Sequence, residues 1–262
     1  MYLYLDHDTW VHRLHPLVRL AGMFAVFIAA FVVDRPEWLV PLLLGVVALL
    51  VGTRSLANVW RLRVLFTLVF VMTLLIWTFF YGPDGQTPLW TWGPIYVSRT
   101  APWFGLGMAL KLETFLGAGI LFLSVTRIEE FAYALTRLGV PYKLGFTMTM
   151  AFRLVPVFVD AAGAVVQAQR CRGLDFERGG LWQRLRRYVP IMVPVFMGAL
   201  RRADQMAMAL EARGFQSDRP RTTLDHHPVR ASDVVAALAL VTVVAAYLWL
   251  WRSGCLTIVV PR

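Results

Sequence analysis

The chain has 262 residues, of which 58% are apolar and 16% charged, and its formal net charge is +10. A soluble domain is usually about half apolar and a quarter charged, so this composition argues against a soluble protein and for a membrane protein. All but two of the 26 basic residues are Arg and no nucleic-acid module accompanies them, so orientation in the membrane and lipid contact explain the charge better than nucleic-acid binding.

Five apolar runs are long enough to cross about 30 Å of hydrocarbon. The first run has no small-residue cleavage site and is therefore expected to be retained as a membrane helix. The sequence thus predicts an all-α integral membrane protein with about five transmembrane helices. The runs lie at 17–33, 36–52, 62–80, 104–125 and 232–251.

The distribution of basic residues orients these helices. Arg54, Arg61 and Arg63 lie in the 52–63 loop, and the long 126–232 stretch is rich in Arg, which places both on the cytoplasmic side. The 81–103 loop is then external, and its tryptophans suit a membrane interface. The predicted domains are a membrane bundle over 1–125, a cytoplasmic or interfacial coupling region over 126–231, and a final span with a short external tail over 232–262.

Two long segments inside the coupling region, 144–172 and 188–213, are each predicted to form a helix of roughly 40 Å. Each begins apolar and becomes polar, and Arg153 in the first segment argues against a clean crossing because charge is costly at mid-membrane. We therefore expect two amphipathic helices that lie along or dip into the inner interface. Pro156, Pro190 and Pro194 are expected to start or kink them.

The two segments end with the same short sequence motif, and the two copies of the motif are 41 residues apart. In each copy an Ala lies four residues before an Arg. A small residue directly precedes that Arg, and a Gly directly follows it. Gly fits the left-handed position that ends a helix, and a cation in the last turn complements the helix dipole. One such end is typical of ordinary capping, whereas two matched ends indicate paired contacts with an acidic dimeric partner. The residues are Ala168, Cys171, Arg172 and Gly173 in the first copy and Ala209, Ala212, Arg213 and Gly214 in the second.

The region from 126 to 173, followed by 190 to 215, resembles the T component of energy-coupling factor (ECF) transporters. The run from His15 to Leu20 resembles the family's Asp-Pro-x-x-Lys-Leu pattern, with His15 in place of the acid. We call the two Arg-Gly helix ends, 168–173 and 209–214, the first and the second handle. Cys171 stands where the first handle of the family usually has Ala. Two further motifs match, Leu138-Gly139-Val140-Pro141 and Phe152-Arg153-Leu154-Val155-Pro156.

The resemblance implies a non-catalytic scaffold subunit in the cell membrane of a bacterium or archaeon. Arg172 and Arg213 would each dock into one of two cytoplasmic ABC ATPases, with Arg153, Pro156 and Pro141 shaping the coupling helices. Movement of these helices would tilt a separate substrate-binding S component, which carries a vitamin or a cobalt or nickel ion. ATP and Mg²⁺ would be bound by the ATPases, so no cofactor is expected in this chain.

Other functions remain as alternatives from the residues alone. Lys111 and Lys143 follow Leu110 and Tyr142, so neither belongs to a phosphate-binding Gly-Lys loop. A self-sufficient ion or metabolite carrier predicts inverted repeats with midplane polar residues, for which Lys111 and Glu113 are weak candidates. An integral membrane enzyme predicts a catalytic cluster, and no Ser or Cys stands in a recognisable setting.

A metal site near the N-terminus is a further alternative with weak support. The spacing of its candidate ligands is irregular, and the family pattern already accounts for His15, so we expect no metal site. The candidates are Asp6, His7, Asp8, His12 and His15.

Methionines are concentrated on the two long segments, where they suit either a contact surface that repacks or ordinary core filling. Six of the ten lie there, at 148, 150, 192, 197, 206 and 208.

Overall fold

The structure is a computed structural model that describes residues 9–80, 90–92, 95–97, 101–174, 180–215, 217 and 230–253. Nearly all regular structure in these residues is helical, which confirms the predicted all-α fold. One short antiparallel ribbon lies within the predicted external loop. In chain order the elements are α1 (Pro16–Val32), α2 (Pro36–Gly52), α3 (Leu56–Arg61), α4 (Arg63–Phe80), β1 (Trp90–Trp92), β2 (Ile95–Val97), α5 (Ala101–Val125), α6 (Ile128–Arg137), α7 (Tyr142–Cys171), α8 (Leu181–Ala212) and α9 (Ala231–Arg252).

Helices α1, α2, α4, α5 and α9 correspond to the five predicted apolar runs. By length and composition α4, α5, α7 and α9 are able to cross a membrane, whereas α1 and α2 have 17 residues each. A 17-residue helix measures roughly 26 Å, at the short end of what a bilayer requires. The set of helices able to cross includes α7, which was predicted to lie along or dip into the inner interface, because an 18-residue stretch within it is apolar enough although Arg153 and Asp160 lie on the same helix.

Contacts divide the chain into two compact units, 1–139 with 227–262 and 140–226. The first unit includes α6, which lies within the predicted coupling region over 126–231 and packs on α1. The second unit contains α7 and α8, which pack against one another.

In the first unit α5 is the central helix, with α4, α2 and α1 packed around it. Small residues allow this close approach. A methyl group added at Gly107 would lie 2.6 Å from the backbone oxygen of Asp34, and one added at Gly117 would lie 3.2 Å from Val46. The turn between α1 and α2 is therefore seated directly on the backbone of α5.

An ion pair secures the same turn. The Lys111 Nζ on α5 donates to Asp34 Oδ1 at 2.9 Å and to the carbonyl of Phe31 at 3.1 Å. The Lys111 ammonium is therefore paired within the first unit. Its neighbour Glu113 is buried, and Oε1 has no hydrogen-bond partner among the described residues.

A second polar cluster joins the start of α1 to the start of α9. The Asp233 carboxylate accepts from the backbone N–H of His15 at 2.8 Å and from that of Arg230 at 2.7 Å. The Arg19 guanidinium donates to Glu130 on α6 at 2.6 Å and to the carbonyl of Val125 at 3.0 Å. These contacts fix α1, α9 and α6 at one end of the bundle.

In the second unit α8 begins at Leu181, whereas the sequence predicts a start at 188. Pro190 and Pro194 lie inside α8, and Pro156 lies inside α7. A proline removes one backbone hydrogen bond and bends a helix, but the helix continues where the flanking turns are intact. None of the three prolines therefore starts a helix.

Candidate functional site

Helix α7 ends in a Schellman motif built around Gly173. The N–H of Leu174 donates to the carbonyl of Gln169 at 3.0 Å, and the N–H of Gly173 donates to that of Arg170 at 2.9 Å. Gly173 has φ +87°, in the left-handed region that costs other residues about 1–2 kcal/mol. Arg172 is the C-cap residue of the helix.

Helix α8 ends with the same hydrogen bonds. The N–H of Phe215 donates to the carbonyl of Leu210 at 3.0 Å, and the N–H of Gly214 donates to that of Glu211 at 2.9 Å. Gly214 has φ +70°, and Arg213 is the C-cap residue. The predicted left-handed glycines are confirmed at both ends, and the resemblance between the two copies extends to the backbone.

Each helix end presents its arginine to the outside. Arg172 and Arg213 are exposed, and so are the small residues that precede them in the last turn, Ala168, Cys171, Ala209 and Ala212. Small side chains leave the guanidinium unobstructed, and its planar fork is suited to carboxylates. Each end thus exposes one arginine beside small side chains, with Arg170 in the last turn of α7 and Glu211 in the last turn of α8.

The two arginines lie far apart in the second unit. Phe215, two residues after Arg213, packs on the start of α7, with ring centroids 4.6 Å from Phe146 and 6.3 Å from Tyr142. Arg172 lies 26 residues beyond Phe146 on the same helix, or roughly 40 Å at 1.5 Å per residue. The structure therefore does not bring the handles together: it holds them at opposite ends of the helix pair.

The other predicted coupling residues lie along α7. Pro141 is the N-cap residue with ψ 136°, which sets the direction in which the helix starts. Pro156 is partly buried at mid-helix, and Arg153 is exposed one turn before it. Arg153 is 19 residues from Arg172, roughly 28 Å along the helix, so it forms no common site with the handle.

The sequence analysis missed two sets of contacts. The aromatic cluster of Tyr142, Phe146 and Phe215 sets the position of the second handle, and the aromatic residue directly after Gly214 was its only sequence signal. His15 replaces the family acid and still caps α1, because its Nδ1 accepts from the N–H of Leu17 at 3.2 Å. Asp233, which is remote in sequence, supplies a carboxylate beside it.

The alternative metal site falls largely outside the described residues, which exclude Asp6, His7 and Asp8. Of the remaining candidates, His12 Nδ1 lies 2.6 Å from the Thr9 hydroxyl, and His15 is the helix cap. Within the described part of the chain no three His, Cys, Asp or Glu side chains are grouped as metal ligands.

Comparison with known proteins identifies consistent relatives. The family model named CbiQ, described as cobalt transport protein, matches residues 7–224. An energy-coupling factor transporter transmembrane protein EcfT from Clostridium kluyveri is 29% identical over 252 residues, covering 92% of each chain. The EcfT of Limosilactobacillus fermentum is 28% identical over 253 residues, 94% of each chain. A putative ABC transporter ATP-binding protein of Bifidobacterium longum is 30% identical over 248 residues, which cover 90% of this chain and 31% of that protein.

Proposed function

This chain belongs to the family of CbiQ cobalt transport proteins and ECF transporter T components, and we propose that it transmits force from two ABC ATPases to a substrate-binding membrane subunit. One observation carries the proposal: α7 and α8 end in the same exposed Arg-Gly motif with the same backbone hydrogen bonds. A single helix cap needs no partner, but a repeated and exposed cation suits a partner that is itself paired.

In this proposal Arg172 and Arg213 each enter an acidic groove on one ATPase subunit. Ala168 and Cys171 in α7, and Ala209 and Ala212 in α8, form the apolar base of the two contacts. The B. longum relative supports the pairing with ATPases, because a region similar to this chain makes up 31% of a protein named as ATP-binding. ATP and Mg²⁺ are assigned to the ATPases, and the chain itself is assigned no catalytic role.

The two helices would carry the motion. Handles roughly 40 Å apart move relative to one another when the ATPase subunits close, and rigid helices convey that movement along their length. Arg153, Pro156 and Pro141 would shape α7 for this role. Met192, Val193 and Phe196 are 60–67% exposed on α8, a flexible apolar surface suited to the S component and to lipid. Exposure of these side chains favours a contact surface over core filling for the α8 methionines.

The cargo is proposed by class. The S component would capture a vitamin or a transition-metal ion, and the family description as cobalt transport protein supports the metal. Cargo specificity would reside in the S component, so the T component requires no metal ligands of its own. The distribution of Arg supports an orientation with the handles in the cytoplasm. The bacterial relatives support location in the cell membrane of a bacterium or archaeon.

The test is a pull-down in detergent with the ABC ATPases of the same organism. We expect the wild-type chain to retain an ATPase pair, and the R172E/R213E double variant to lose it, because each substitution places a carboxylate against an acidic groove. The matched control is R201E/R202E, which makes the same charge change at exposed positions within α8. This control should retain the ATPases.

Folding of each variant is checked by thermal unfolding in the same detergent. Retention of the ATPases by a folded R172E/R213E variant, or no retention by the wild type, would contradict the coupling role and reopen the carrier and enzyme alternatives. Single variants refine the result: loss of one ATPase copy per substitution is expected if each handle serves one subunit.

A further inference from the structure

A groove in the first unit is lined by residues of α1, α2, α5 and α9, and α1 packs against both α9 and α5. Its volume is about 750 Å³, within the range of sites that bind small molecules. Apolar side chains form its walls, among them Val18, Met23, Val26 and Leu240. Ala239 is exposed at its open side.

The groove runs along the helices for the depth of one membrane leaflet. The lining extends from Arg230, the residue before α9, to Val243 on α9. On α1 it extends from Val18 to Val26, with Arg13 in the turn that precedes the helix. Thirteen residues of helix measure roughly 20 Å, while half of the hydrocarbon core measures about 15 Å and the headgroup layer lies beyond it. A lipid acyl chain that enters the groove where α1 and α9 begin therefore reaches the middle of the bilayer.

Polar residues are confined to one end of the groove. Arg13 and Arg230 are exposed there, beside Trp10, which is 59% exposed and suits the membrane interface. No acidic residue is among the described residues that line the groove, and the Asp233 carboxylate at this end is buried and accepts from the backbone N–H groups of His15 and Arg230. Thr126 lines the same end, and its buried hydroxyl has no hydrogen-bond partner among the described residues. The lining thus changes from cationic and polar to apolar within one leaflet.

We propose that this groove binds one anionic phospholipid, with an acyl chain along the apolar lining from α1, α2, α5 and α9 and its phosphate at Arg13 and Arg230. The order of charge and apolar surface matches such a lipid from headgroup to chain end. A polar solute finds no partners along the apolar walls. This role goes beyond the transport function and does not depend on it.

The test uses the full chain, purified in detergent and stripped of lipid. It is incubated with phosphatidylglycerol or phosphatidylcholine of identical acyl chains, and bound lipid is counted by native mass spectrometry. Wild type is expected to retain one phosphatidylglycerol and to prefer it over phosphatidylcholine. R13Q and R230Q should each weaken phosphatidylglycerol retention about fivefold without affecting phosphatidylcholine, while R252Q, at the other end of α9, should retain wild-type preference.

A second pair of variants tests the apolar part. Ala239→Trp fills the groove and should abolish retention of both lipids, whereas Ala245→Trp, at an exposed alanine of α9 outside the lining, should bind like wild type. Equal retention of the two lipids by wild type would overturn the proposal. Full retention of phosphatidylglycerol by Ala239→Trp would do the same.

Discussion

Gly107 shows how one atom sets the packing of the first unit. Its Cα faces the backbone of the α1–α2 turn, so an added methyl group meets a carbonyl oxygen that no side-chain rotation moves away. Gly119 lies on the same helix with open space around it. The two glycines therefore differ in the space available for a side chain: Gly107 has none and Gly119 has room for one.

We expect Gly107→Ala to destabilise the protein by about 1–3 kcal/mol, as overpacking against rigid backbone does. Gly119→Ala should be neutral or stabilising by up to about 1 kcal/mol, because Ala is the better helix former. Thermal unfolding of the purified chain in one detergent measures both. Equal melting temperatures for the two variants would show that the α1–α2 turn is not seated on α5.

For single residues, the sequence predicts which side chains are unusual in their surroundings better than it predicts which residues they contact. Lys111 was recognisable as a costly charge inside an apolar run, but its partner Asp34 is 77 positions away. His15 and Asp233 are 218 positions apart. Such pairs depend on how helices are arranged in space, and no spacing rule along a single chain reports that arrangement.

Helix ends are the elements that were predicted best, because their chemistry is local. A glycine directly after an amphipathic run is sufficient to predict the left-handed turn at Gly173 and Gly214. The start of α8 was harder to predict, since Pro190 and Pro194 usually mark a boundary and here lie within a continuous helix. Phe215 was missed as a packing residue because its partners lie at the start of the preceding helix.

Replacing a glycine by alanine is expected to have opposite effects on helix stability at the helix ends and within the helices. Gly173→Ala and Gly214→Ala should each weaken the local helix end by about 1 kcal/mol, because Ala is strained at positive φ. Gly163→Ala and Gly198→Ala, inside α7 and α8 with open space around them, should strengthen their helices by up to about 1 kcal/mol.

Hydrogen exchange of peptides that cover the last turns of α7 and α8 measures this effect. Faster exchange is expected at the end that carries the substitution and unchanged exchange at the other end. Slower exchange in Gly173→Ala would contradict the Schellman geometry of that end.

For the whole molecule, the sequence predicts the helical class and the positions of the apolar runs, which depend on composition and length alone. Which helices cross the membrane is harder to predict from the sequence. Helix α7 has enough length and apolar character to cross, although the charge of Arg153 argued for a helix at the membrane interface. Composition averages over a segment, whereas crossing depends on where each charge lies and what it contacts.

The two native cysteines offer a test of membrane orientation. Cys171 is exposed beside the first handle and is predicted to be cytoplasmic. Cys255 lies outside the described residues, and the sequence places it in the external tail. In intact cells a membrane-impermeant maleimide should label a Cys171→Ala variant, through Cys255, and spare a Cys255→Ala variant. Inside-out vesicles should reverse the pattern, and the opposite result would invert the proposed topology.

The matching backbone of the two handles has a consequence for the genes that accompany this one. If the two ends bind ATPases as proposed, an ATPase that recognises one helix end meets the same hydrogen-bonded turn at the other, and a homodimer encoded by a single gene would be sufficient to occupy both. Where two different ATPases are present, the backbone offers no basis for telling the sites apart. Discrimination then depends on the side chains that differ, which are Gln169, Arg170, Cys171 and Leu174 at one end and Leu210, Glu211, Ala212 and Phe215 at the other.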